Sequence, residues 1–343
     1  MNQPSYPPML RPLNPRKDLL AIADLIELCF AETLDQSGRE YIRQLRRIGK
    51  DASTFWIGRS TDHFYAPRQG FVWEEEGKIV GNLSIFSFQT PSGVEYLIAN
   101  VAVHPDFRRR GIARLLTERA LDYIHQQGGR RAWLNVRQDN LPAISLYRSL
   151  NFSERLRRTQ WQYPNTSFTP QGQPPTLRFS PASLSIQIRR RKRADWQLHQ
   201  HWLLSTYPPD YHWHLDFQID WFAPGFFAWL RGFLSDTRYD HYSIVKNGAL
   251  IGVATLQSNL NEGKTLWIAC DAAWENEALQ SFLNYLSNEH LLREKITLDY
   301  PAQRATEPLQ AAGFTPVQTL IWMQHSIERP KHIAQKIPNS TPF

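Results

Sequence analysis

Apolar and polar positions in the first half of the chain follow two rhythms. From Leu19 to Phe30, and again near Arg39–Ile48, apolar residues return at the three-to-four spacing that lines one face of a helix. Shorter runs rich in β-branched and aromatic residues predict strands at Met9–Leu13, Phe71–Glu75, Ile79–Phe88, Glu95–Val103, Ala132–Arg137 and near Arg157–Tyr163. A turn at Glu76–Gly77 joins the second and third of these. Helical spacing returns over Ile112–Gln127, stopped by Gly128 and Gly129, and over Leu141–Leu150. Some strands follow one another directly and others are separated by helices. The pattern therefore predicts an α/β (α+β) fold with a central mixed sheet flanked by helices.

The rhythm breaks over "PNTSFTPQGQPPTLRFSP" (164–181), which is rich in Pro, Ser, Thr, Gly and Gln and reads as a linker. Beyond it the same grammar returns. "GKIVG" (77–81) is echoed by "GALIG" (248–252), "RAWLNV" (131–136) by "KITLDY" (295–300), and "LNF" (150–152) by "AGF" (312–314). Matched order and spacing imply a duplicated domain. The expected organisation is a first domain at 1–163, a linker at 164–181, a second domain at 182–327 and a tail at 328–343.

Composition narrows the possible roles. The chain has 343 residues, a formal net charge of +7 and 42% hydrophobic residues, enough for two buried cores. The positive balance favours anionic partners: nucleic acid, acidic lipid or a phosphorylated small molecule. Cys29 and Cys270 alone make neither a disulfide framework nor a metal pattern. The N-terminal residues lack the apolar core of a signal peptide. "WFAPGFFAWLRGFL" (221–234) is short for a membrane span and holds Pro224, Gly225 and Arg231. A cytoplasmic protein is expected.

One stretch concentrates the charge. In "VAVHPDFRRRGIA" (101–113), Pro105 ends a strand, three arginines fill the turn, and Gly111 opens a helix whose apolar face includes Ile112, Leu115 and Leu116. A helix start carries unpaired N–H groups and a positive dipole end, so it suits an anion. Gly111 and Ala113 keep the backbone accessible, and Arg108, Arg109 and Arg110 add charge. The physical reading is a pyrophosphate cradle. A solvated basic turn before an ordinary helix is the plainer alternative.

The segment Arg108-Arg109-Arg110-Gly111-Ile112-Ala113 resembles the acyl-CoA signature of the GNAT superfamily of N-acetyltransferases, and the resemblance continues through "NVRQDNLPAISLYRSLNF" (135–152). It covers most of residues 9–163. Its wording is most similar to the type that acetylates ribosomal-protein alanine N-termini. The resemblance implies two GNAT-like domains in tandem and acetyl-CoA as co-substrate. It implies that Val101 and Val103 offer backbone groups to the pantetheine arm. Residues 108–113, including Ile112, would hold the pyrophosphate, Asn140 would touch the CoA arm, and Tyr147 would protonate the departing thiolate. The family's Gly before the terminal Phe is here Asn151, a common substitute at a left-handed helix end.

Two departures shape the expected chemistry. The strand glutamate that serves as base in the alanine type is replaced by Asn135; Glu95, upstream on another strand, could act through water but is expected to be a surface carboxylate. Without a strong base, an α-amine of pKa about 7.7–8.0 suits the site better than a lysine at about 10.4. The second half carries "DAAWENEALQSF" where the cradle should be, with Leu309 opposite Tyr147, so that domain reads as degenerate. "RRRKR" (189–193) reads as a solvated face rather than a nucleic-acid site. His212, His214 and Asp216 would share a strand face, but with no fourth ligand spaced to close a site no metal is expected. The aromatics from Trp196 to Phe233 are expected to form an inter-domain core or a cleft wall. The leading function is acetyl transfer from acetyl-CoA to a primary amine, either a peptide N-terminus or a small molecule. The alternatives are a non-catalytic acyl-CoA-binding module and a basic nucleic-acid-binding protein. The sequence leaves the acceptor and the oligomeric state open.

Overall fold

Asn14 starts the first helix one turn earlier than the apolar spacing alone indicates. Its side chain accepts a hydrogen bond from the Arg16 N–H, and Pro15 occupies the first helical position, where a missing N–H costs nothing. Helix α1 therefore runs Pro15–Phe30, and α2 follows at Gln36–Lys50. The computed structural model describes residues 6–34, 36–50, 67–90, 93–163, 186–215, 217–225, 237–259, 263–289 and 294–327. The expected linker and tail, Asp216 and most of the apolar stretch at 221–234 lie outside these residues.

The chain divides into two units that interleave in sequence. Unit 1 comprises 1–136, 140–155 and 322–343, and unit 2 comprises 137–139 and 156–321. Unit 1 is built on strands β1 (Leu10–Pro12), β2 (Gln69–Glu75), β3 (Lys78–Thr90), β4 (Gly93–Val103) and β5 (Arg131–Arg137), adjacent in that order. The pairings β1–β2, β2–β3 and β3–β4 are antiparallel and β4–β5 is parallel, so the sheet is mixed. Helix α3 (Ile112–Gln126) connects β4 to β5, and α4 (Leu141–Ser149) follows β5. Gly81 lets α3 seat closely: a Cβ there would lie 2.9 Å from Ile112 Cγ2 and 3.0 Å from Trp73 Cβ.

Unit 2 repeats the pattern with β7 (Ile186–Arg190), β8 (Thr237–Lys246), β9 (Ala249–Asn259), β10 (Gly263–Cys270) and β11 (Ile296–Pro301). Helix α5 (Trp196–Thr206) precedes β8, α6 (Glu275–Asn288) connects β10 to β11, and α7 (Thr306–Ala311) follows β11. Again the last connection is parallel and the others antiparallel. The closing strand of each sequence half is divided between the two units. Strand β6 (Ser153–Tyr163) pairs antiparallel with β11 through Arg158–Tyr163, and Trp322–Ser326 of β12 (Thr315–Ser326) belong to unit 1.

The aromatic region after Trp196 differs from the expectation of an inter-domain core. Trp202, Tyr207, Phe217 and Phe222 pack with Trp267 and Ala269 of β10, forming a core within unit 2. His212 and His214 lie in turns rather than on a strand, because Pro208 and Pro209 direct the chain into a short 3₁₀ turn at Pro209–Tyr211. Burial lowers the His214 imidazole to about 3. Among the described residues, no cluster of three or more His, Cys, Asp or Glu side chains is arranged to hold a metal. No described helix is long and apolar enough to cross a membrane.

Candidate active site

The site begins where two parallel strands part. The ladder between β4 and β5 is confined to Tyr96↔Ala132 and Leu97↔Trp133. Glu95 anchors this end, accepting hydrogen bonds from Arg131 and from Trp133 Nε1 at 2.9 Å. Only 3% exposed, Glu95 is a buried partner rather than the expected surface carboxylate. Beyond Leu97 a bulge sets Leu83 of β3 against both Asn100 and Val101, and Asn100 takes φ 53°. Asparagine tolerates that left-handed geometry better than most residues.

Past the bulge, the β4 edge runs into the arginine turn. The His104 N–H bonds Val80 O on β3, so by strand alternation the Val103 backbone groups face the other way. The Val103 carbonyl already accepts from Cys29 Sγ at 3.3 Å and Arg108 Nε at 3.2 Å, which leaves its amide as the group it can offer. Pro105–Phe107 forms a 3₁₀ turn, after which Arg109 and Gly111 both adopt left-handed φ, 64° and 78°. Among the described residues no side chain caps the start of α3. The requirement for glycine at 111 is conformational: a Cβ there would meet nothing within 4 Å, yet φ 78° disfavours any L side chain. Arg110 reaches back to Glu75 at 2.9 Å, and Arg108, Arg109 and Arg110 are all exposed. Such a turn offers uncapped amides and positive charge together.

Helix α4 supplies the remaining groups. Asn140 is its N-cap, the side-chain oxygen accepting from Ala143 N at 3.2 Å, so only its amide N–H groups are left for another partner. Tyr147 is 6% exposed and packs edge-on against Phe152, with ring centroids 5.9 Å apart. Its hydroxyl has no protein partner among the described residues, and burial pushes its pKa well above the usual phenol value. Asn135 sits exposed on β5. Val101, Val103, Arg108–Ala113, Asn140 and Tyr147 all lie in unit 1.

Sequence reasoning missed a polar cluster behind the bulge. Asn82 Nδ2 donates to Asn100 O at 2.9 Å, and Asn100 Nδ2 donates to Tyr41 Oη at 2.7 Å and Ser84 Oγ at 3.3 Å. Asn82 and Ser84 are fully buried. The signal was present as polar residues at inward positions of "GNLSIF" and "IANVAV".

The second unit repeats this framework but fills the opening. Asp271 N bonds Ile251 O as His104 N bonds Val80 O, which makes Ile268 the counterpart of Val101. The Ile268 N–H lies 3.4 Å from the hydroxyl of Tyr207, a fully buried residue just beyond α5. Asp299, the counterpart of Asn135, pairs with Arg158, which also donates to Thr206 O at 2.6 Å and stacks over Tyr207. Burial raises the Asp299 carboxyl while the guanidinium opposes it. At the start of α6, Glu275 accepts from Tyr300 and Arg304, and Lys246 pairs with Glu277 at 2.5 Å.

"RRRKR" is a solvated face in part: Arg190, Lys192 and Arg193 are exposed, and several of the arginines also have protein partners. Arg189 pairs with Asp195, Arg190 with Asp240, and Arg191 donates to Phe222 O. A cavity of about 610 Å³ in unit 1 lies between α1 and the β2–β3 turn and reaches His104, and the Arg11 and Asp18 that line it are bonded to one another.

Residues 21–152 match the model of the acetyltransferase (GNAT) family. The chain is 37% identical over 86 residues to the [ribosomal protein bS18]-alanine N-acetyltransferase of Escherichia coli K12, covering 25% of this chain and 57% of that protein. It is 35% identical over 91 residues to the peptidyl-lysine N-acetyltransferase YiaC of the same organism, covering 26% of this chain and 54% of that protein. The chain thus spans little more than half the length of these curated relatives. A GCN5-related N-acetyltransferase from Sphaerobacter thermophilus shares the fold over 95% of this chain and 98% of its own, with a TM-score of 0.56 and 15% identity. The similarity to the acetyltransferase (GNAT) family therefore rests on residues 21–152, within the first half of the chain.

Proposed function

We propose that the protein is an acetyl-CoA-dependent N-acetyltransferase acting on a primary amine, with its chemistry in unit 1. One observation carries this reading: the open edge of β4 leads directly into an uncapped, arginine-rich helix start, with Tyr147 on the helix that follows β5. The residues present fit the cofactor. The Val101 and Val103 amides line the edge where a pantetheine arm would lie, and the amides and arginines of 108–113 suit its pyrophosphate. The Asn140 amide group is free to contact the arm.

In the reaction, the lone pair of a neutral amine attacks the thioester carbonyl, forming the C–N bond as the C–S bond breaks. Tyr147 donates its phenolic proton to the leaving sulfur, and the extra proton on the newly acylated nitrogen passes to solvent, from which the tyrosine is reprotonated. Because burial holds that phenol protonated, the transfer accompanies C–S cleavage rather than preceding it. Asn135 cannot take a proton, and Glu95 is committed to Arg131 and Trp133. The amine therefore arrives deprotonated from solvent. That favours α-amines over lysine side chains and points to peptide N-termini or small weakly basic amines. The similarity to an alanine N-acetyltransferase supports the former; the similarity to a lysine acetyltransferase makes lysine the competitor to test.

Unit 2 shapes or supports rather than catalyses in this reading, since Tyr207 and the Arg158–Asp299 pair fill its slot. The test is mass-spectrometric acetylation of a panel of peptides with free or blocked N-termini and of small amines. N-terminal or small-amine products support the proposal. Acetyl-CoA binding without product on any acceptor favours a non-catalytic acyl-CoA-binding module, and indifference to acetyl-CoA overturns both.

A further inference from the structure

The buried cluster behind the β4 bulge has no part in the roles assigned above. Asn82 sits fully inside the sheet, uses Nδ2 on the Asn100 carbonyl, and leaves Oδ1 without a partner among the described residues. Burying an amide with one half unsatisfied costs stability, and an apolar residue of the same size would avoid that cost. What the Asn82 bond does is orient one peptide group. No cis peptide bond occurs among the described residues, so the Asn100 carbonyl and the Val101 N–H point in opposite directions across their shared plane. With Asn100 O drawn toward β3 by Asn82, the Val101 N–H is turned away from β3, to the side where β5 has diverged.

A regular ladder would have set this peptide by strand pairing. At the bulge that pairing is lost, because Leu83 opposes two residues at once. The side chain of Asn82 replaces it. Asn100 is held on its other side by Tyr41 of α2 and by Ser84, which fixes its own left-handed conformation but leaves the carbonyl to Asn82.

We infer that Asn82 is a positioning residue: it locks the Asn100–Val101 peptide so that the Val101 amide is presented to the acyl-pantetheine arm. The inference rests on the acetyl-CoA reading above. Preorganised amides bind more tightly than mobile ones because the ordering cost is met during folding. Asn82→Leu keeps the volume and removes both the donor and the orphan acceptor. It should weaken acetyl-CoA binding about tenfold, as expected for losing one well-aligned hydrogen bond, with a Tm equal to or above the parent's. Ser84→Ala, which touches the Asn100 side chain and not its carbonyl, should change affinity by less than about twofold.

Calorimetry with acetyl-CoA and thermal melts on both variants form the first arm. The second arm needs no variant: in ¹⁵N-valine-labelled wild type, the Val101 amide resonance should shift on adding acetyl-CoA. Asn82→Leu binding as wild type does, with a lower Tm, would make Asn82 purely structural and overturn the inference. So would an unmoved Val101 resonance in a protein that binds, an outcome that stands even if Asn82→Leu fails to fold. No binding by the wild type overturns the acetyl-CoA reading itself, and this inference with it.

Discussion

At the scale of single residues, position 111 and position 147 do different work and should fail differently. Gly111 combines φ 78° with an exposed place at the helix start, so Gly111→Glu adds a strained conformation and a negative charge where an anion is to bind. Acetyl-CoA binding should be abolished in a folded protein, and calorimetry checks it. Tyr147→Phe removes one hydroxyl that has no protein partner among the described residues, so melting temperature and cofactor affinity should survive. Turnover should drop by about a hundred- to ten-thousand-fold, the usual worth of a positioned acid. Its counterpart in the repeat, Leu309, is 0% exposed, and Leu309→Ala should cost about 2–5 kcal/mol of stability without a direct effect on chemistry. Full activity in Tyr147→Phe would end the assignment. The pH profile belongs at this scale too. With no enzymic base, rate should climb with pH as the acceptor loses its proton, and the raised Tyr147 pKa means no loss of the acid below about pH 10. An inflection of the free enzyme below pH 7 would reveal a base that Asn135 cannot be. The arginines, Gly111, Asn140 and Tyr147 were legible because each is tied to a local spacing. Asn82 and Tyr41 were not, because their partner Asn100 is distant in sequence and becomes their neighbour only through the bulge.

At the scale of elements, the duplicated framework is visible in sequence and the filling of one copy is not. Short motifs such as "GKIVG" and "GALIG" mark matching turns and strand starts, and the two parallel ladders match residue for residue. The blockage in unit 2 comes from Tyr207 beyond α5, packed on β10, and from Arg158 of β6; neither lies near the degraded turn in sequence. Each chain should therefore bind one acetyl-CoA, and native mass spectrometry showing two would contradict the blocked slot. Helix α5 also buries His199, whose Nδ1 sits 2.9 Å from Arg191 and whose ring packs against Trp196 and Phe222. Burial, then the Arg191 charge, pushes that imidazole well below its ordinary value, and burial lowers His214 and His241 to about 3. Unfolded, these groups take up protons near pH 6.5; folded, they resist until far lower pH. Below about pH 6.5 the unfolded state binds more protons, so stability falls with falling pH down to about 3. Melts between pH 8 and pH 4 should show this decline, and His199→Phe should flatten it. Parallel curves for the two proteins would show that His199 is not a contributor.

At the scale of the whole molecule, the sequence suggests two successive domains, whereas the units share out the chain differently. The first half ends in β6, yet Leu156–Tyr163 belong to unit 2, where Trp161 and Tyr163 enter the core beside β11. Unit 1 recovers a closing segment only from Trp322 onward. There Ile327 N donates to Arg130 O at 2.8 Å, Ser153 Oγ donates to Gln324 O, and the His325 ring meets Phe152 at 5.3 Å. Hydrophobic periodicity could not disclose this exchange. It reports which face of a strand is buried and is silent about which neighbour lies alongside. Trp322 and Met323 are both 0% exposed. Losing a buried tryptophan costs about 3–5 kcal/mol, against a total domain stability of about 5–15 kcal/mol. A fragment of residues 1–163 lacks that whole segment and carries an unpaired β6 besides. It should melt without cooperativity and bind no acetyl-CoA, although it holds every residue assigned to the chemistry. Adding a separately produced 182–343 fragment should restore both properties, since the missing strand arrives with it. Cooperative melting and full acetyl-CoA affinity in the 1–163 fragment alone would show that the exchanged strand is dispensable and that the first half is a self-sufficient enzyme.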